Sequence, residues 1–529
     1  SSCWIQASAA TSQPAPTCTM GTGSDIAQLL KVYWPLLLGN IVEWYEFAVY
    51  GYLESYLEES FFQGSAIATW LGFTVTFLAR PLGGIVLGIT GDRLGRKTAV
   101  NVSILGMLVG TCGQGLLPTY ASGSDALGLV GVVCLLLLRC LQGLCAAGEI
   151  STISTYLTEV APLRSLGRSI SLISVTGNLG FLSAKAVVFI ACRSFGEERM
   201  HSWGWRIPFL FALLPGMIAV CGRRALPETE QFLAQQEQRK KGMGDGDDRE
   251  EPMEGQDPSE EEDVEGSGGV RQKRTSGPQA AAPSRPSIKA ASVLVAMLGV
   301  ASMAILQYGG FVWVQSYLQK RGMSSGDRML TDLCVRGLMI TLALPVGWLA
   351  DVQGVGWVTF VGAGLLAAGG LPLFAVLSAH PTELAVAVPV VGVGLGLLGS
   401  IGGTVFFAFV TELFPAAVRA TGVGIAYNLG LSLFGGLAPV LAEASLSVCS
   451  VGPGILLSAG GAITAGAVAL GMLLQRRGVV QLAHVRPRPY FSPCGEYSRE
   501  GEDKAPDAPS LPPVPGNPDS GLAAPSPVL

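Results

Sequence analysis

The stretch FLARPLGGIVLGITGDRLGRK, Phe77 to Lys97, decides how this chain folds. It opens as an apolar, glycine-rich helix that carries one arginine, Arg80, about 16 Å of helix rise before its end. It stops in Gly91-Asp92-Arg93-Leu94-Gly95-Arg96-Lys97, a turn with one acid and three bases. Bases clustered after a long apolar run mark the cytoplasmic mouth of a membrane helix. The blander reading is an ordinary charged turn flanking a hairpin.

Composition favours the membrane. Of 529 residues, 49% are hydrophobic and 14% charged, where soluble domains carry about 25% charged. Glycine numbers 70, and small residues let membrane helices approach closely. Several apolar runs reach the ~20 residues that cross a bilayer. The net charge of −5 is dominated by one acidic loop, and no basic stripe points to nucleic acid. The 11 cysteines are scattered without C-x-x-C spacing, so neither a metal site nor a disulfide framework is expected. The 3 histidines fall in loops or the tail. A moving proton would therefore ride on a carboxylate.

Residues 1–28 are polar and rich in Ser, Thr, Ala and Pro; the first residue is not Met, and no fold is expected there. A six-helix bundle is expected over 29–226, with helices near 32–53, 66–91, 98–117, 127–159, 169–192 and 205–220. Residues 227–288 change character. An acidic run between Asp245 and Glu265 is flanked by Arg239-Lys240-Lys241 and Arg271 to Arg274. Low hydrophobicity and blocks of like charge predict a disordered linker, either a simple tether or a regulatory segment phosphorylated near Ser284 or Ser287. A second six-helix bundle follows over 289–477, with helices near 291–318, 329–350, 357–377, 384–411, 420–441 and 452–475. A Pro-rich tail, 478–529, closes the chain.

The halves repeat each other. Thr158-Glu159-Val160-Ala161-Pro162 recurs as Thr411-Glu412-Leu413-Phe414-Pro415, and Asn178-Leu179-Gly180 recurs as Asn428-Leu429-Gly430. Ala350-Asp351-Val352-Gln353-Gly354 echoes the opening turn, keeping its acid and glycine but not its bases. Duplicated halves place a substrate site between them near the bilayer midplane. Bases at Arg93 to Lys97, Arg164, Arg168, Arg223, Arg224, Arg419, Arg476 and Arg477 put those loops and both termini in the cytosol.

Charges inside apolar helices cost about 3 kcal/mol each on insertion scales and mark function. Helix one carries Gly39-Asn40-Ile41-Val42-Glu43-Trp44-Tyr45-Glu46-Phe47, with two glutamates on one face. They are either proton carriers or a structural pair. Helix four carries Arg139, Gln142 and Glu149; Arg139 is either a clamp for a substrate anion or the counter-ion of a helix-one glutamate. Lys185 follows Asn178 on one stripe of helix five and either meets a carboxylate or snorkels. Gln307, Tyr308 and Tyr317 interrupt helix seven and are expected to line the cavity from the other half. At the helix-two turn, Asp92 is expected to face the free N–H groups at the start of helix eleven, and Arg93 and Arg96 to reach Glu159. Asp351, Glu412 and Arg419 complete this candidate gate, whose bases have a purely topological role in the alternative reading.

Gly39 to Gly51, Phe77 to Lys97, Arg139 to Glu149, Gly204-Trp205-Arg206-Ile207-Pro208-Phe209 and ELFPAAVRATGVGIAYNLGLSLFGGLAP (Glu412 to Pro439) together resemble the metabolite:proton symporters of the major facilitator superfamily. That family includes proline/glycine-betaine, 2-oxoglutarate, citrate and shikimate symporters. The resemblance covers residues 31 to 475 outside the linker, and W-Y-x-F and S-L-F-G-G lean towards its proline/betaine members. Glu46 stands where the family usually has Asp, and Lys185 in a segment usually uncharged.

The resemblance implies an all-α membrane protein with twelve transmembrane helices in two pseudo-repeats. It also implies proton-coupled symport of a small carboxylate-bearing metabolite by alternating access. Glu43, Glu46 and Glu149 are the candidate proton carriers. Arg139, Lys185, Asn178, Gln142, Tyr308, Gln307 and Arg80 are the candidate substrate contacts. The partners are substrate, protons and the lipid bilayer, with no cofactor, no metal and a monomer as the working unit. The plasma membrane is the default location. Two rivals stay open: a uniporter or exchanger of the same fold, and a non-transporting nutrient sensor. An enzyme is not expected, since no nucleophile–base pair appears.

Overall fold

The computed structural model describes residues 22–161, 165–224, 228, 232–234, 236–237 and 288–480. Arg164, Ser284, Ser287, the acidic run and the tail from 481 onward lie outside the described residues. The remainder forms twelve helical spans: α1 Thr22–Tyr52, α2 Ala66–Leu94, α3 Arg96–Gln114, α4 Asp125–Val160, α5 Leu166–Gly204 and α6 Arg206–Arg223. The second half follows as α7 Ala290–Lys320, α8 Ser325–Gln353, α9 Val355–Ala379, α10 Leu384–Glu412, α11 Ala416–Leu446 and α12 Gly452–Arg476. Ten are long and apolar enough to cross a bilayer; α1 and α3 fall short because of their own polar residues. Leu78, Val109, Leu137, Leu214 and Ile455 are exposed around the bundle, an apolar belt suited to lipid chains.

Successive spans alternate in direction. The start of α1, the α2–α3 turn and the end of α12 therefore share one face, called here the terminal face. Helix α1 is already formed at Thr22, the first described residue, within the segment 1–28 for which no fold is expected. Glu228, which falls in the segment 227–288 expected as a linker, accepts from the backbone N–H groups of Arg96 (3.1 Å) and Lys97 (3.2 Å) at the start of α3.

Two seams join the halves, α5 against α8 and α2 against α11. Each is closed by a pair of glycines. A Cβ on Gly84 or Gly424 would run into the carbonyl of the other, and the same holds for Gly167 and Gly347. Thr158 and Thr411, equivalent in the sequence repeat, share a hydrogen bond of 3.0 Å. π-helical turns interrupt α7, α10 and α11 and end α5. The turn in α7, Leu306–Trp313, turns Gln307 and Phe311 towards the interface between halves; such bulges frequently accompany functional sites.

Candidate functional site

Buried arginines organise the interface. On the α2–α11 seam, Arg80 donates to Glu43 Oε1 (3.1 Å) and to Asn428 Oδ1 (3.2 Å). On the α5–α8 seam, Arg336 donates to Asn178 Oδ1 (3.1 Å) and Gln307 Oε1 (3.4 Å), and its Nε lies 3.6 Å from Asp332. Each seam thus holds an acid, an arginine and the asparagine of a repeated Asn-Leu-Gly. The asparagines are oriented by their own helices: Asn178 donates to Ser174 O and Asn428 to Gly424 O, leaving each amide oxygen to accept from arginine.

The second arginine borders open space. A cavity lies between the halves, lined by Trp44, Asn178, Phe181, Gln307, Phe311 and Arg336 among others. The Arg336 guanidinium stacks 4.1 Å from the Phe181 ring and 5.4 Å from that of Phe311. Trp44 is held by its indole N–H donating to Asn40, which in turn donates to Thr176. Arg336 Nε and Gln307 Nε2 are buried without a hydrogen-bond partner among the described residues, although buried donors are nearly always paired. The wall therefore offers two spare donors, a cation and several aromatic faces.

Asp332 Oδ2 accepts from Lys185 (3.0 Å) and from Tyr52 (3.4 Å), both in the first half. Lys185 is about two turns beyond Asn178 along α5, and Asp332 about one turn beyond Arg336. The cluster therefore lies between the cavity and the face opposite the termini.

The remaining candidate substrate contacts are placed elsewhere. Arg139 donates to Gln142, Gln142 to Thr111 and Thr111 to Glu46, at 2.8, 2.8 and 2.7 Å. Arg139 sits 4.0 Å from the Tyr50 ring and reaches Glu46 only through this chain, not as its counter-ion. Tyr308 packs into Phe47, Phe73 and Phe77, and Tyr317 stacks on Trp313. Of the seven candidate contacts, Asn178 and Gln307 line the cavity; Arg139, Lys185, Gln142, Tyr308 and Arg80 do not.

The glutamates differ in company. Glu43 pairs with Arg80. Glu149 pairs with Arg223 of α6, a residue whose position at a helix end had suggested only topology. Glu46 is buried with no cation in contact, and its Oε1 has no partner among the described residues.

At the terminal face, Asp92 accepts from the N–H groups of Ala420 (3.3 Å) and Thr421 (2.8 Å). Asp351 accepts from Gly167 N (2.6 Å) and Arg168 Nε (2.7 Å), so each half caps a helix of the other. Arg96 is fully buried, bonding Asp92, Glu159 and Ala416 O. Arg93 instead is exposed and does not join Glu159. Arg419 lies 3.7 Å from Glu159, and Glu412 is half-buried beside it.

Sequence reasoning missed Asp332 and Arg336. Their signal was available: an acid and a base one turn apart inside the apolar span 329–350.

Comparison with known proteins agrees with this architecture. A family model described as sugar (and other) transporter matches residues 32–460. The chain is 31% identical over 428 residues to the ectoine/proline transporter ProP of Corynebacterium glutamicum, covering 77% of this chain and 76% of that protein. It is 30% identical over 431 residues to the proline/betaine transporter of Salmonella typhimurium, covering 79% and 78%. Among solved structures, the proton:xylose symporter XylE bound to 6-bromo-6-deoxy-D-glucose matches with a TM-score of 0.66 at 17% identity, over 86% of this chain and 97% of that one. A partially occluded inward-open form of XylE from E. coli matches at 0.60 and 15% identity. The chain belongs to the sugar (and other) transporter family and is a multi-pass membrane transporter of the major facilitator superfamily.

Proposed function

We propose that this transporter takes up a small zwitterion bearing a carboxylate and a substituted ammonium, of the proline or betaine type, together with protons. The observation that carries this reading is Arg336, whose Nε makes no hydrogen bond and lies 3.6 Å from Asp332, set among Trp44, Phe181 and Phe311 in the cavity between the halves. Guanidinium binds carboxylate in fixed geometry, and aromatic faces attract alkylated ammonium. A sugar would use neither a buried cation nor an ammonium-binding surface. The names of the two relatives, ectoine, proline and betaine, fit the same chemistry.

Arg336, Asn178 and Gln307 bind the carboxylate, and the aromatic rings receive the cationic end. Glu46, which has no cation beside it, carries the coupling proton; Glu43 and Glu149, held by arginines, fix helix geometry. Asp92, Asp351, Arg96 and Glu159 latch the terminal face and part as the halves rock. That face is cytosolic by its bases, in the plasma membrane, with a single chain as the working unit.

The test is uptake of labelled proline, glycine betaine, 2-oxoglutarate and citrate into proteoliposomes, with an inward proton gradient and with or without a protonophore. Protonophore-sensitive accumulation of proline or betaine supports the reading. Gradient-blind equilibration sinks symport and leaves a uniporter. Preference for citrate or 2-oxoglutarate sinks the zwitterion.

A further inference from the structure

Asp332 is shared. It is fully buried in α8, touches Lys185 and Tyr52 of the other half with one oxygen, and faces Arg336 of its own helix with the other. Two cations and one carboxylate leave this cluster one positive charge in excess. Lys185 has the Tyr52 ring 5.5 Å away as its other neighbour, and Arg336 has neutral amides and phenylalanine rings. A lone excess charge at this depth calls for an anion, and the only cation of the three that borders the cavity is Arg336.

We propose that Asp332 is a positioning residue whose partner depends on occupancy. A carboxylate arriving in the cavity takes over Arg336, and Asp332, released from that arginine, bonds Lys185 alone. The α5–α8 contact then tightens on the side away from the termini, and the loaded cavity is shut from that face. When the carboxylate leaves, Arg336 draws Asp332 back along α8, the Lys185 bond weakens and the face reopens. Substrate binding and closure are thus joined through one acid. The proposal rests on the carboxylate-binding reading of the cavity and adds to it the reason why occupancy closes the carrier.

Two geometric facts favour exchange over a fixed pair. Arg336 Nε and Asp332 Oδ1 stand 3.6 Å apart, beyond a hydrogen bond, so this is the contact a ligand can take over, and the Lys185 bond at 3.0 Å is the closed-face arrangement. The guanidinium carbon also lies 4.1 Å over the Phe181 ring, a contact that does not use the N–H groups a carboxylate would take.

The experiment uses the full chain in detergent or nanodiscs. Equilibrium binding of labelled glycine betaine and proline is measured for the native protein, Lys185→Gln, Lys185→Arg, Asp332→Asn and Arg336→Gln. Hydrogen exchange of the α5 and α8 ends away from the termini is followed with and without each probe. The native protein is expected to bind and to gain at least fivefold protection there. Lys185→Gln should bind within about threefold of native yet gain no protection, and Lys185→Arg should recover it. Asp332→Asn should likewise bind and not close, and Arg336→Gln should bind more than tenfold more weakly. Substrate-dependent protection unchanged in Lys185→Gln overturns the proposal while leaving the cavity reading intact. Loss of binding in Lys185→Gln equal to that in Arg336→Gln also overturns it, since lysine would then be a ligand contact. Failure of the folded native protein to bind either zwitterion overturns both.

Discussion

Single side chains carry most of the chemistry. Replacing Arg336 by Gln removes a charged hydrogen-bonding partner worth about 1.5–3 kcal/mol, so the Kd for glycine betaine should rise more than tenfold by equilibrium binding. Arg336→Lys should retain part of the affinity, because it keeps the charge but not the planar fork. Glu46→Gln should preserve substrate exchange across proteoliposomes and abolish accumulation driven by a proton gradient; Glu43→Gln should lower the thermal stability more than the coupling, since it strands Arg80. The glutamates were legible in the sequence because a carboxyl inside an apolar run stands out at any register. Arg223 was not, because a base at a helix end reads as a topological marker, and only the packing of α6 on α1 and α3 turns it back to Glu149. Asp332 and Arg336 were hidden in the same way by the charged turn Asp327–Arg328 just ahead of them.

Helices add constraints that no single residue reveals. Gly84 and Gly424 bring α2 and α11 together so closely that a side chain on either collides with backbone. Gly84→Val should therefore fold, since the collision lies between halves, but transport should fall by at least tenfold. Hydrogen exchange at the terminal ends of both helices should rise. Gly364→Ala, where a Cβ meets nothing, is the silent control. The short helix Glu54–Phe62 that follows α1 holds a titrating group at the face opposite the termini. Burial, helped by Glu58, pushes the Glu54 carboxyl from 4.5 up to about 7, against a smaller opposing pull from Lys320. The folded state therefore holds a proton that the unfolded state releases near pH 4.5, so this contribution to stability is full below that pH and fades as pH rises through 7. Melting temperature in detergent should fall between pH 5 and 8, and Glu54→Gln should flatten that fall. The spans themselves were readable from apolar length, which is a property of local sequence. The π-helical turns were not, because they answer to packing between α7, α10 and α11 rather than to composition.

At the scale of the whole molecule, the repeat becomes a working symmetry. Asp92 caps α11 and Asp351 caps α5, so the terminal face is latched twice, once by each half. Asp92→Asn or Asp351→Asn alone should loosen that face partially, and the double variant should hold it open, read as increased hydrogen exchange at the starts of α5 and α11 and as loss of accumulation. Two six-helix halves and the latch on Asp92 follow from motifs a reader of the sequence can find, since repeats and glycine-rich turns are local. The cavity does not, because its wall is assembled from α1, α5, α7, α8, α9 and α10 and exists only after the halves meet. The excess positive charge of the Lys185–Asp332–Arg336 cluster has an electrical meaning as well. Those three groups stay with the protein, so the current per cycle is set by the cargo alone. A zwitterion carried with one proton moves one net charge, and a membrane potential of ~100 mV then contributes about 2.3 kcal/mol to each uptake event. Expressed as a gradient, that is roughly fifty-fold accumulation without any difference in pH.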